Sequence, residues 1–275
     1  MAINKEYGTL DDAKALIKES HDLGIRVILD LVPNHSSDLH EWFQAALKAK
    51  PGSKERERYI FRDGKGPNGD LPPNNWEAVF GGPAWERVPD GQWYLHLFAV
   101  EQPDFNWHNS EVKKYFEDVL NFWLKLGVDG VRIDVAHGMI KADGLPDVPS
   151  DPKLLEGKPM PFWDQDGVHE IYKEWRKILD SYPNDRMAVA EAWVSPASRI
   201  ARYLRPGELM NSFNFDFMGS KWDKTNMKEM IDRSMTALSE VGAPSSWVFN
   251  NHDVTRSVDR FDLGLGIGGG TTQER

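Results

Sequence analysis

The sequence predicts an α/β fold: a parallel sheet with its chemistry at the carboxyl ends of the strands. Two observations predict it. Four short apolar runs, at residues 25–35, 127–134, 187–193 and 246–253, each finish in acidic or amide-bearing residues. Stretches with apolar residues at helical spacing alternate with these runs, so the order is helix, strand, helix, strand. One capped apolar run means little. Four in one chain match a parallel sheet whose site lies beyond the strand ends.

Each element follows from its residues. Residues 9–23 read as a helix, with Thr9 able to cap it, Asp12 three residues on, and Leu10, Ala13, Leu16, Ile17 and Leu23 spaced for one buried face. Gly24 stops it. The run Ile25-Arg26-Val27-Ile28-Leu29-Asp30 then extends into Asn34 and His35. Residues 36–109 break the repeat with turn signals such as Pro67-Asn68-Gly69 and Gly81-Gly82-Pro83. Short aromatic pieces such as Trp93-Tyr94-Leu95 lie between them. This reads as an irregular insertion, and long loops in compact domains are usually functional.

The second half repeats the pattern. Residues 110–126 form a helix with Val112, Phe116, Val119, Leu120 and Trp123 on one stripe and Gly127 as the stop. Gly130-Val131-Arg132-Ile133-Asp134 follows as a strand. Side chains two apart on a strand share a face, so Arg132 and Asp134 point the same way. A guanidinium beside a carboxylate keeps it ionised, as a covalent nucleophile must be. A structural ion pair would read the same from these residues alone. Residues 168–179 predict a helix before the strand into Glu191. A short strand is expected at 214–217, a helix at 222–238, and a last strand at 246–253, ending in Asn251-His252-Asp253.

Bulk properties narrow the function. A length of 275 residues fits one large domain, or one with an insertion. A net charge of -10 argues against nucleic acid or an anionic membrane as partner. There is no cysteine, which excludes disulfides and thiolate metal sites. No apolar stretch is long enough to span a bilayer, so a cytoplasmic location is the default expectation. The many Trp and Phe suit sugar rings, although core packing explains most of them. Gly264-Leu265-Gly266-Ile267-Gly268-Gly269 fits a dinucleotide fingerprint as letters only, since it neither follows a strand nor opens a helix. His35 and His40 lack a third ligand at metal spacing.

The capped runs carry a resemblance. Asp30-Leu31-Val32-Pro33-Asn34-His35, Gly130-Val131-Arg132-Ile133-Asp134, Val189-Ala190-Glu191-Ala192-Trp193 and Asn251-His252-Asp253 closely resemble, in order, the four sequence regions of the α-amylase family, glycoside hydrolase family 13. Gln102-Pro103-Asp104-Phe105-Asn106-Trp107 resembles a further region, in the form found in its α-glucosidase and oligo-1,6-glucosidase branch. The resemblance implies a (β/α)8 TIM barrel, here partial, with barrel strands three to seven. Residues 1–35 and 110–275 would belong to the barrel and 36–109 to an inserted domain B.

The resemblance also implies roles. Asp134 would be the nucleophile, Glu191 the general acid and base, and Asp253 a third carboxylate. His35, Arg132 and His252 would bind the sugar, with Asp30 and Asn34 in support. Asn34 corresponds to a calcium ligand in true α-amylases; the glucosidase branch usually lacks that site, so neither metal nor cofactor is expected. Ala190, Ala192 and Trp193 give Glu191 an apolar setting, which would raise its pKa as an acid requires. The expected activity is retaining hydrolysis of short α-glucosides. Val135 leans towards α-1,6 linkages. Rival readings are a trehalose- or sucrose-isomerising transglycosylase and a non-catalytic carbohydrate-binding homologue, and oligomeric state is left open. Barrel strands one, two and eight have no counterpart, so the chain is expected to be a fragment, with open edges, marginal stability and little activity.

Overall fold

The computed structural model describes residues 2–155 and 158–262. Helix α1 (Leu10–Asp22) opens on the expected capping box: Thr9 Oγ1 accepts from the Asp12 N–H, and the Asp12 carboxylate accepts from the Thr9 N–H at 2.7 Å. Gly24, at φ +73°, turns the chain towards β1 (Ile28–Leu31). The predicted apolar face of α1 is buried only at Ile17, while Leu16 and Leu23 are 62% and 77% exposed. The reason is position: β1 stands at the edge of its sheet among the described residues, so α1 has little to cover.

The next stretch carries α2 (Glu41–Lys48), α3 (Lys54–Glu57), β2 (Phe61–Asp63), β3 (Trp85–Arg87) and β4 (Gln92–Leu95). The three strands form an antiparallel sheet in the order β2-β4-β3. Trp76, Trp85, Leu95 and Leu97 make a small core beside it, with Phe162 and Trp163 packed against that core from later in the chain. Phe43, Tyr59 and Phe105 instead join the main core. Residues 36–109 are therefore rooted in the main core by their own aromatic residues.

Helix α4 (Ser110–Leu126) buries Val112, Phe116, Leu120 and Leu124 and ends at Gly127 in the left-handed conformation, as its spacing predicts. Each such burial contributes roughly 1.5–3 kcal/mol. Strand β5 (Gly130–Ile133) follows, then a 3₁₀ turn at Pro152–Leu155, α5 (Val168–Asp180), β6 (Met187–Ala190), α6 (Ala197–Tyr203) and β7 (Asn211–Ser212). Short helix α7 (Phe215–Met218), α8 (Lys224–Ser239) and α9 (Ser257–Asp262) complete the order. The main sheet runs β1-β5-β6-β7, with every pairing parallel. Asp30 pairs with Arg132, and Arg132 with Val189, so the strand ends stand level. Gly130 lets β5 and β6 close up, since a Cβ there would lie 2.2 Å from the Met187 carbonyl.

Two expected strands are corrected. At 214–217 the chain turns helical as α7, because the Asn214 side chain accepts the Phe217 N–H at 3.0 Å and caps that turn; the strand lies just before it, at β7. Residues 246–253 form no strand. Ser246 reaches β7 through a side-chain bond to Asn211 at 2.6 Å, and β7 is only two residues long. A two-residue strand offers too little ladder to order a neighbour. The sheet thus has four strands where five were expected. The Gly264–Gly269 run lies outside the described residues.

Candidate active site

The ends of β1, β5 and β6 bring the acidic groups together. Backbone bonds continue the ladder past each strand: the Asp134 N–H reaches the Leu31 carbonyl and the Glu191 N–H the Ile133 carbonyl, both at 2.9 Å. Arg132 sits among three carboxylates. Its Nη1 donates to Asp30 at 2.8 Å and to Asp134 at 2.5 Å, and its Nη2 lies 3.1 Å from Glu191 Oε2. The shared face of Arg132 and Asp134 is as predicted. Its reach to Glu191 was not legible, because the two residues sit on different strands.

Glu191 is 5% exposed and receives two further bonds. The Val135 N–H donates to Oε2 at 3.0 Å and the Trp193 indole to Oε1 at 3.1 Å. Burial pushes its carboxyl above the usual range, against the Val135 N–H and Arg132, and the Asp134 charge pushes in the same direction. Val135 carries a positive φ of 46°, unusual for a β-branched residue, and that conformation aims its N–H at Glu191.

Asp134 and Glu191 line a cavity of about 520 Å³ with His35, His252 and Asp253. His35 is nearly buried, held by Gln102 Nε2 at 3.0 Å and Asn34 Nδ2 at 3.3 Å, and burial lowers its pKa. His252 and Asp253 are different: they stand 3.4 Å apart, with side chains 73% and 49% exposed, on the stretch that forms no strand. They reach the cavity wall but bond neither Asp134 nor Glu191. Asp30 and Arg132 are not in the cavity lining and are joined to each other at 2.8 Å.

Asn34 leads to a group that the sequence reading missed. It is fully buried and donates to Asp104 at 3.0 Å, while its carbonyl oxygen accepts from Lys141 at 3.1 Å. Lys141 Nζ also meets Asp104 at 2.8 Å and donates to the Gly138 carbonyl. An ammonium therefore draws together these oxygens. Among the described residues no cluster of three or more His, Asp or Glu is arranged to hold a metal. His40 caps α2 by accepting from the Trp42 N–H at 3.1 Å. His137 was also missed: its ring lines the cavity, lies 4.6 Å from Trp163, and burial pushes its pKa down to about 3. Nothing in the linear pattern singles out Lys141 or His137, since both follow Asp134 in a loop without periodicity.

Comparison with known proteins decides the family. The model of the α-amylase catalytic domain matches residues 1–264. The chain belongs to the α-amylase family. It is 39% identical to the oligo-1,6-glucosidase of Parageobacillus thermoglucosidasius over 94% of this chain and 48% of that protein. Among solved structures it is similar to the trehalose-6-phosphate hydrolase of Bacillus licheniformis, with a TM-score of 0.83, 35% identity, and coverage of 94% of this chain and 48% of the other. The isomaltulose synthase of Erwinia rhapontici aligns with a TM-score of 0.83 at 31% identity, over 94% and 47% of the two chains. The chain thus spans about half the length of the relatives it matches. The four-stranded parallel sheet is the corresponding part of the α-amylase family's barrel.

Proposed function

We propose that this α-amylase family member is a retaining α-glucosidase acting on short α-glucosides. The observation that carries the reading is the placement of Asp134 and Glu191 on one guanidinium, Arg132, at the edge of one cavity. Retention needs one ionised carboxylate to attack the anomeric carbon and one protonated carboxyl to release the leaving oxygen. Arg132 Nη1 donates to Asp134 at 2.5 Å and holds the carboxylate that would attack. Burial favours the proton on Glu191. Asp134 then forms the glycosyl ester, and Glu191, having given up its proton, takes one from the water that cleaves the ester. Gln102 and His35, paired with each other at 3.0 Å, line the cavity where sugar hydroxyls would bind, and His252 and Asp253 share that lining. Asp30 holds Arg132, and Asn34 steadies His35. The Lys141 ammonium supports a reading without metal or cofactor at Asn34. The 36–109 segment would serve as domain B, closing the cavity with Val79, Phe80 and Phe98.

We place the protein in the cytoplasm, a reading that the lack of cysteine supports; no described helix is long and apolar enough to cross a membrane. This stretch alone should turn over slowly. Its sheet edges are open among the described residues, and Ile25 before β1 and Ile28 at its start are 57% and 41% exposed. Similarity to an isomaltulose synthase supports a second reading, in which a sugar hydroxyl replaces water.

The test is covalent trapping, for which a single slow turnover suffices. A 5-fluoro-α-glucosyl fluoride should leave a glucosyl ester on Asp134, seen as a mass increment on its peptide. Asp134→Asn should lose the label and, in turnover of an aryl α-glucoside, about 10⁴ in rate. Labelling elsewhere, or a first product of β configuration, would refute the assignment.

A further inference from the structure

The residue that follows Asp134 is held in an unfavourable shape. Val135 is branched at Cβ and takes φ +46°, a conformation that its side chain opposes. In return its N–H points at Glu191 Oε2, 3.0 Å away. Strain of this kind persists only where the surroundings over-determine it. Here the peptides that follow are all bonded. The Ala136 N–H donates to the Glu191 carbonyl and the Gly138 N–H to the Val135 carbonyl, both at 2.9 Å. The Ala136 carbonyl accepts from the Tyr172 hydroxyl. The His137 carbonyl accepts from the Asp164 N–H at 2.7 Å. Two of these donors come from elsewhere in the fold: Tyr172 from α5, and Asp164 from the loop before it.

Both are firmly seated. Tyr172 is fully buried, its ring 6.1 Å from Trp175 and 5.8 Å from Tyr203. The Asp164 carboxylate accepts from Arg199 Nε at 2.6 Å and from the Tyr203 hydroxyl at 2.7 Å, both on α6. Arg199 Nη2 also donates to the Asp164 carbonyl at 2.8 Å. Neither Tyr172 nor Asp164 lines the cavity, so neither is placed to touch a sugar there.

We propose that Tyr172 and Asp164 are positioning residues for the acid: by bonding the carbonyls of Ala136 and His137 they hold Val135 in its strained conformation and keep its N–H on Glu191. This rests on the reading of Glu191 as the acid and adds what holds it in place. The charged groups that face Glu191 are Arg132 and Asp134, with His35, His137, His252 and Asp253 in the same cavity lining. Removing the Tyr172 hydroxyl takes away none of them, so its effect reaches Glu191 through the turn.

The experiment is a carbon-13 NMR titration of the full chain labelled at glutamate Cδ, with the Glu191 signal identified by its loss in Glu191→Gln. It reads the acid directly and needs no turnover. A donor lost from the Glu191 carboxylate favours the protonated form. Tyr172→Phe should therefore make Glu191 a weaker acid, by about threefold or more, and carry the basic limb of turnover to higher pH. Tyr203→Phe, which loosens the grip on Asp164, should move Glu191 the same way, and it takes the place of Tyr172→Phe if that variant shows no cooperative melting. Tyr182→Phe removes a hydroxyl bonded to Asn121 at 2.8 Å, beside the same core, and should leave Glu191 unchanged. With Val135→Gly already present, Tyr172→Phe should do less, because glycine takes positive φ without strain. An unmoved Glu191 in Tyr172→Phe, an equal movement in Tyr182→Phe, or an undiminished effect beside Val135→Gly would overturn the proposal. Failure to trap a sugar on Asp134 would instead overturn the glucosidase reading, and the titration would still decide what holds the Glu191 carboxyl.

Discussion

Replacing Lys141 with Met tests whether a buried ammonium holds the floor of the site. The Lys141 side chain is 2% exposed and that of Asp104 is 0%. Removing the cation leaves a buried carboxylate, which typically costs about 3–5 kcal/mol. Asp104 keeps two donors, Asn34 Nδ2 at 3.0 Å and the Leu97 N–H at 2.9 Å, so the low end, about 3 kcal/mol, is the expected loss. In a domain of this size about 1 kcal/mol moves the melting temperature by roughly 2–4 °C, so Lys141→Met should lower it by about 6–12 °C. Thermal denaturation followed by circular dichroism measures this. Asp104→Asn in the same molecule removes the orphan charge and should recover part of the loss, giving a clear coupling in a double-mutant cycle. A chelator should leave the melting temperature of the parent unchanged, since Lys141 already takes up these oxygens. A fall below about 2 °C for Lys141→Met, or simple additivity in the cycle, would refute the reasoning.

Other outcomes follow from the same geometry. Glu191→Gln should reduce turnover by about 10²–10⁴ and erase the basic limb of the pH profile, because the parent loses activity as pH rises through the raised pKa of its acid; an unchanged limb would place the acid elsewhere. Asp129 is bonded by the Val27 N–H at 2.8 Å, His21 at 2.7 Å and Arg186 at 3.0 Å, and these outweigh burial to hold its carboxyl below the usual range. Its stabilisation is present above the unfolded carboxyl pKa and disappears as pH falls through the folded value. Asp129→Asn should therefore cost about 1.5–3 kcal/mol at neutral pH and progressively less in acid, measured by urea unfolding across pH; a pH-independent loss would contradict this. Gly138→Ala would put a Cβ 2.7 Å from Trp163 and Val135 and 2.8 Å from the Asn34 carbonyl oxygen. It should cost about 1–3 kcal/mol and weaken glucoside binding together with stability; a silent substitution would show the loop to be pliable.

Much of this protein was written locally, and those parts were legible. The Thr9 and Asp12 capping box, the stripe of α4 with its stop at Gly127, and the Arg132 and Asp134 pair all depend on residues a few positions apart. Short-range geometry fixes such contacts whatever surrounds them. The ordered motifs at Asp30, Asp134, Glu191 and Asp253 were equally readable, and the family followed from them. The tertiary structure decided what depends on partners. Leu16 and Leu23 have helical spacing yet stay exposed, because β1 is an edge strand. Residues 246–253 have strand composition yet pair with nothing, because a ladder needs a neighbour long enough to bond. Helical spacing gave no sign that Lys141 would meet Asn34, 107 positions away, or that Val135 would take a positive φ to serve Glu191, 56 positions on. Such long-range contacts form only when the strands are stacked in register. The charge on Glu191 was half readable: its apolar neighbours pointed to a raised pKa, but Arg132 and Val135, which oppose it, arrive from the next strand. A carboxyl's protonation follows from every group that surrounds it in space, and a sequence names only those beside it on the chain.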